Sequence, residues 1–82
     1  MDEIALQALS PGELREICAK HNMKGRASAS KAKMVEFLTD LRKVSGDVHN
    51  YSVAELRGLA KEVGIRGFSS ATREELIEWL EF

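Results

Sequence analysis

Four cations crowd into ten positions, Lys24, Arg26, Lys31 and Lys33, with the hydroxyls of Ser28 and Ser30 between them. The segment Gly25-Arg-Ala-Ser-Ala-Ser-Lys31 runs into the start of a helix, whose first amides have no partner inside the helix. Free amides, hydroxyls and cationic side chains together suit a phosphate. Contact of that kind, made to the backbone and not to base edges, grips a nucleic acid without reading its sequence. Lys20, at the end of the preceding helix, complements that helix's macrodipole and widens the basic patch.

The same inventory gives little to a catalyst. The basic segment lacks the second glycine that precedes the lysine of a nucleotide-binding phosphate loop. Cys18 and His21 are three apart on one helix, but no further Cys or His pair completes a tetrahedral metal site. A small buried thiol beside a partly exposed imidazole is the plainer expectation. Glu13, Glu16, Glu36, Glu74, Glu75 and Glu78 are spaced as caps and solvated helix faces, not as the carboxylate pair in a cleft that acid–base chemistry needs. We therefore expect no enzymatic activity, no cofactor and no metal.

Two aromatics stand apart. Phe37 and Trp79 each extend an apolar helix stripe to one side. Packing within the core or between the chain's two halves is the first expectation for both; a surface for a protein partner or for self-association is the alternative.

The elements that must position these residues are short helices. Ser10-Pro-Gly-Glu13 and Ser52-Val-Ala-Glu55 are capping boxes, with Pro11 at the first helical position, where its missing N–H costs nothing. Leu9 with Leu14, and Tyr51 with Leu56, can close hydrophobic staples across these starts. Leu14, Ile17 and Cys18, then Leu56, Leu59, Ala60 and Val63, recur at helical spacing. Asn22 and Gly64 can stop these helices in the left-handed conformation, Met23 and Ile65 turn inward, and Gly25 and Gly67 mark an extended link. Ser30 and Thr72 cap the second helices, which carry Met34, Val35, Leu38 and Leu41 in one case and Leu76, Ile77 and Leu80 in the other. Residues 2–9 place Ile4, Ala5, Ala8 and Leu9 at helical spacing, which predicts a short leading helix. No segment alternates with period two, so the chain is all-α.

This organisation is written twice. Residues 52–80 align without a gap on residues 10–38, and 9 of the 29 paired positions are identical, including Glu13/Glu55, Leu14/Leu56, Arg15/Arg57 and Gly25/Gly67. The reading is a lead segment (1–9), a first repeat (10–43), a connector (44–51) with a turn at Ser45-Gly46-Asp47, and a second repeat (52–82). A unit of about 30 residues is too small to stand alone, so the two copies must pack together. Their charges differ. Residues 10–43 hold eight Lys or Arg against four acids, whereas residues 44–82 hold four against seven, so the copies have different jobs.

The pattern Ser52-x-x-Glu-Leu-Arg-x-Leu-Ala-Lys-Glu-Val-Gly-Ile-Arg-Gly-Phe-Ser…Arg-Glu-Glu-Leu-Ile-Glu-x-Leu80 resembles the N-terminal domain of the bacterial transcription terminator Rho. Ser10-Pro-Gly-Glu-Leu-Arg-Glu-Ile-Cys-Ala-Lys-His-Asn-Met…Lys-Ala-Lys-Met-Val-Glu-Phe-Leu38 is similar to a SAP motif; both belong to a helix–extended loop–helix group that also contains LEM modules. The resemblance implies two parallel-running helices per repeat and a role in contacting DNA or RNA, or a protein in the LEM branch. Carried over by position, the phosphate-facing residues are Lys24, Arg26, Ser30, Lys31 and Lys33, with Arg66 and Arg73 in the second copy. Arg26 stands where the Rho-like pattern has an aromatic, as Phe68 does in the second copy, which favours the first copy as the binder. Phe37 and Trp79 replace a residue usually polar in SAP motifs, which favours extra packing or a partner.

The expectation is thus one small domain of two tandem repeats that binds nucleic acid, DNA rather than RNA, with low sequence specificity and mainly through the first repeat. A protein-interaction or assembly module using the second repeat and Trp79 is the rival. The lone Cys18 fits a reducing, intracellular setting, Met1-Asp-Glu lacks the basic start of a secretory signal, and no apolar run approaches the ~20 residues that span a bilayer.

Overall fold

The helix starts are closed by the residues that predict them. A computed structural model describes residues 3–82, with helices α1 (Glu3–Ala8), α2 (Pro11–Lys20), α3 (Lys31–Ser45), α4 (Val53–Val63) and α5 (Arg73–Leu80). Ser10 and Glu13 form the reciprocal capping box of α2, and Ser52 and Glu55 that of α4. Thr72 and Glu75 close a third box on α5, while α3 has the hydroxyl of Ser30 alone, accepting from the Lys33 amide. Each capping residue is worth about 1 kcal/mol against alanine. Helices of 6 to 15 residues are marginal alone, so tertiary packing must hold them.

That packing is one core. Leu14 and Cys18 of α2, Met34, Phe37, Leu38 and Leu41 of α3, Leu56 and Ala60 of α4, and Leu76, Ile77 and Leu80 of α5 are buried together. Each fully buried leucine side chain contributes roughly 1.5–3 kcal/mol. The described residues contain no strand and form a compact all-α unit. None of its helices is long and apolar enough to cross a membrane.

The order helix, single-turn 3₁₀ helix, helix occurs in both halves, with the 3₁₀ turns at Arg26–Ser28 and Phe68–Ser70. Asn22 (φ 55°) and Gly64 (φ 97°) both take the left-handed conformation at the ends of α2 and α4. Gly25 (φ 72°, ψ 19°) and Gly67 (φ 74°, ψ 17°) repeat it three residues later. A side chain at Gly25 would meet nothing within 4 Å, so glycine is needed there for its positive φ and not for space.

The two links pair with each other. Met23 and Ile65 form an antiparallel bridge; the Lys24 amide donates to Gly64 O (2.8 Å) and the Arg66 amide to Asn22 O (2.9 Å). A shift of 42 positions interchanges these two bonds, so the pair has a local two-fold relation. The Asn22 side-chain amide adds a bond to Arg66 O. Met23 and Ile65 are buried beneath the bridge. Beside these links, His21 Nδ1 donates to Trp79 O (2.7 Å) and its ring stacks on Phe82 at 5.5 Å and 14°. The Phe82 amide donates to Ser45 Oγ (2.7 Å), which ties α3 to the chain end.

Several expectations change. The leading helix buries Leu6, while Ala8 is exposed; the side chains of Ile4 and Ala5 lie outside the described residues. Helix α3 continues through Val44 and Ser45, two residues into the expected connector, because its last turns keep Leu41 in the core and half-bury Val44. The links are not extended throughout: a left-handed glycine and a 3₁₀ turn interrupt each of them, before an extended pair at Ala29–Ser30 and at Ala71–Thr72. Val48, in a third 3₁₀ turn at Val48–Asn50, is fully buried and makes the connector part of the core.

Candidate nucleic-acid interface

In α2 the inward positions of Leu14 and Cys18 leave Arg15 on the exposed side. Arg26, half-buried, follows the left-handed Gly25 and lines the same cleft as Arg15. The paired links bring Arg66 from the second half to the same place. Arg15, Arg26 and Arg66, with Gly25 and Ala27, line a cleft of about 190 Å³. No acidic side chain is among those lining it. Among the described residues, none of the three guanidinium groups is held in an ion pair. Three planar forks around one cavity are matched to bidentate recognition of a phosphate or carboxylate. The glycine and alanine between them leave room for such an anion to approach the backbone.

The two-fold counterparts of these residues do something else. Arg57, the match of Arg15, donates to Ala71 O (3.4 Å), and Phe68, the match of Arg26, packs half-buried against the core. One half thus uses the position for packing and the other for charge.

The remaining cations of the basic segment are dispersed. Lys31 lines a separate notch with Gln7, Ala32 and Val35. Lys33 shares a groove with Glu36, Asp40 and Glu62, where carboxylates compete with any anionic ligand. Lys20 and Lys24 are exposed. The Ser28 hydroxyl donates weakly to Gly25 O (3.4 Å), and Ser30 Oγ is occupied as the cap of α3 (3.2 Å). Arg73 turns from phosphate duty to structure, donating to His49 O (3.1 Å) and Tyr51 O (3.4 Å). Phe37 is 3% exposed and so belongs to the core, not to a partner surface; Trp79 is half-buried.

The helix start at Lys31 still differs from its counterpart. Helix α5 opens with Glu74 and Glu75, whereas α3 has no acid in its first turn and carries Lys31 and Lys33 there. A cation at a helix N-terminus forgoes the roughly 0.3–1 kcal/mol that an anion gains, so α3 begins with a small electrostatic deficit.

Arg15 escaped the sequence reading. Its signal was the identity with Arg57, each arginine following a buried leucine, but identity alone assigns neither of them a task. Their surroundings differ: Arg15 lines the cleft beside Arg66 of the other half, while Arg57 donates to Ala71 O.

Cys18 lies fully buried beneath this region. Burial pushes its thiol up from 9.0 to about 11, and the neighbouring Arg26 only partly offsets this. His21 Nδ1 is already committed to Trp79 O. A thiol raised in the folded state contributes stability that is complete below the unfolded value and drains away as pH rises from about 9 to 11. The wild-type chain is therefore expected to lose more stability than Cys18→Ala between pH 8 and pH 10.5 in urea titrations. Equal losses in the two proteins would show the thiol to be unperturbed.

Compared with known proteins, the chain matches no family model, no curated protein and no solved structure.

Proposed function

We propose that this chain is a nucleic-acid-binding module built of two tandem helix–loop–helix repeats of the SAP and Rho-N-like kind. It grips the phosphate backbone, DNA in preference to RNA, with low sequence specificity. The observation that carries this reading is the single cleft fed by Arg15, Arg26 and Arg66 from three separate segments, with no carboxylate among its lining residues. The exposed lysines at positions 20, 24 and 31 add to the positive charge of the same half, and the more acidic second half orients the ligand toward the first. The net charge of −1 limits non-specific adhesion, so binding depends on the local patch.

Fluorescence anisotropy against double- and single-stranded DNA and RNA tests this. If about three phosphates are neutralised, the salt slope is near −2.7, and duplex affinity falls roughly 40-fold between 50 and 200 mM salt. Absence of binding to a generic duplex at low salt, or binding indifferent to salt, would sink the assignment.

A further inference from the structure

Gly58 occupies the exposed middle of α4, where glycine costs about 1 kcal/mol relative to alanine. Nothing inside the molecule requires it: a Cβ there would meet no atom within 4 Å, and its φ is not positive. The glycine instead opens a notch of about 290 Å³ between the half-buried Tyr51 and Leu59, rimmed by Glu55 and Glu62. A second notch, of about 430 Å³, lies on the first half, where exposed Ala32 sits beside half-buried Val35 and exposed Lys31. Each notch has a very small residue at its centre, aliphatic surface beside it and charge at the rim, and the rim charges are opposite. Helices with small residues at the crossing point approach near the lower end of the usual 8–10 Å separation. The wider surfaces agree, since residues 10–43 carry four net positive charges and residues 44–82 three net negative ones.

We propose that the chain associates head to tail with a second copy of itself, the first turns of α3 in one molecule crossing α4 of the next at Ala32 and Gly58. Tyr51 and Leu59 cover Val35 of the neighbour, and Lys31 faces Glu55 and Glu62. Such a contact uses different surfaces on the two partners, so every added copy leaves one of each free, and the assembly extends or closes into a ring. Charge complementarity of exposed groups makes the association salt-sensitive. The proposal does not rest on nucleic-acid binding: Lys31 serves both readings, but the residues lining the arginine cleft take no part in this contact.

The test is sedimentation equilibrium of the full chain alone, from about 10 µM to 1 mM, at about 50 and 500 mM salt. The weight-average mass is expected to rise above the 9.1 kDa monomer with concentration at low salt and to return toward it at high salt. Gly58→Lys/Glu62→Lys and Lys31→Glu/Ala32→Glu are each expected to remain monomeric. Both use good helix formers at exposed positions, and the second adds acids to a first turn where they are favourable; circular dichroism checks that both fold. An equimolar mixture of the two regains association, because the first keeps the α3 surface and the second keeps the α4 surface. A wild-type chain that stays at monomer mass at the highest concentration in low salt overturns the proposal. So does either double variant associating like wild type, or a mixture that stays monomeric.

Discussion

Truncating Ile65 to alanine is expected to destabilise the whole chain by about 2–5 kcal/mol, and to do so in one transition. Ile65 is 1% exposed and sits at the bridge with Met23, where the two halves exchange backbone hydrogen bonds. A domain of this length has only roughly 4–12 kcal/mol of stability to lose, so the melting temperature falls by roughly 10 °C or more. Were the halves independent, only residues 52–82 would melt early. The joint core and the bonds His21–Trp79 and Ser45–Phe82 argue that neither half survives the other's loss. Trp79 fluorescence reports the second half and thiol labelling of Cys18 the first. The two probes should lose their folded signals at the same temperature, as in a two-state transition. A Trp79 signal that collapses while Cys18 stays protected would show the halves to be separable.

The second large effect is on binding. Replacing Arg15, Arg26 and Arg66 together by alanine is expected to weaken duplex binding roughly 100-fold, at about 1 kcal/mol for each partly solvated guanidinium–phosphate contact. The salt slope should become shallower by 2 to 3, about one for each phosphate released. Lys31→Ala/Lys33→Ala should cost less, because Lys33 shares its groove with Glu36, Asp40 and Glu62. Arg57→Ala should leave binding unchanged although it occupies the position matched to Arg15, since its guanidinium is turned to Ala71 O. Anisotropy titrations of the three variants decide the order. Equal losses on Arg57→Ala and on the triple replacement would refute the assignment of the cleft.

What could be read from the sequence was local. The caps at Ser10, Ser30, Ser52 and Thr72, the helix stops at Asn22 and Gly64 and the inward turn of Met23 and Ile65 depend on residues within a turn of each other. The structure has them all. Leu6 was missed because a six-residue helix offers too few turns to fix a periodic face. Val48 was missed because its burial is set by what the connector lies against, not by any spacing of its own. The arginine cleft needed contacts between segments 42 residues apart, for which no short-range pattern exists. Lys33 and Arg73 looked alike by sequence position, as cations at helix starts. Their surroundings differ because one meets carboxylates of α3 and α4 and the other meets carbonyls of the connector.

On the two-repeat reading, the exchange of amide bonds between Lys24–Gly64 and Arg66–Asn22 has the symmetry that relates protomers in a homodimer. In such a dimer every substitution appears on both sides of the axis. A cleft-forming arginine would then come with a twin, and a packing phenylalanine with another. Joining the two units in one chain lifts that constraint. Arg26 can serve a ligand while Phe68 serves the core, and Arg15 and Arg57 can keep the same letter under different obligations. The covalent connector thus does more than hold two halves at high effective concentration: it allows a symmetric scaffold to carry an asymmetric surface.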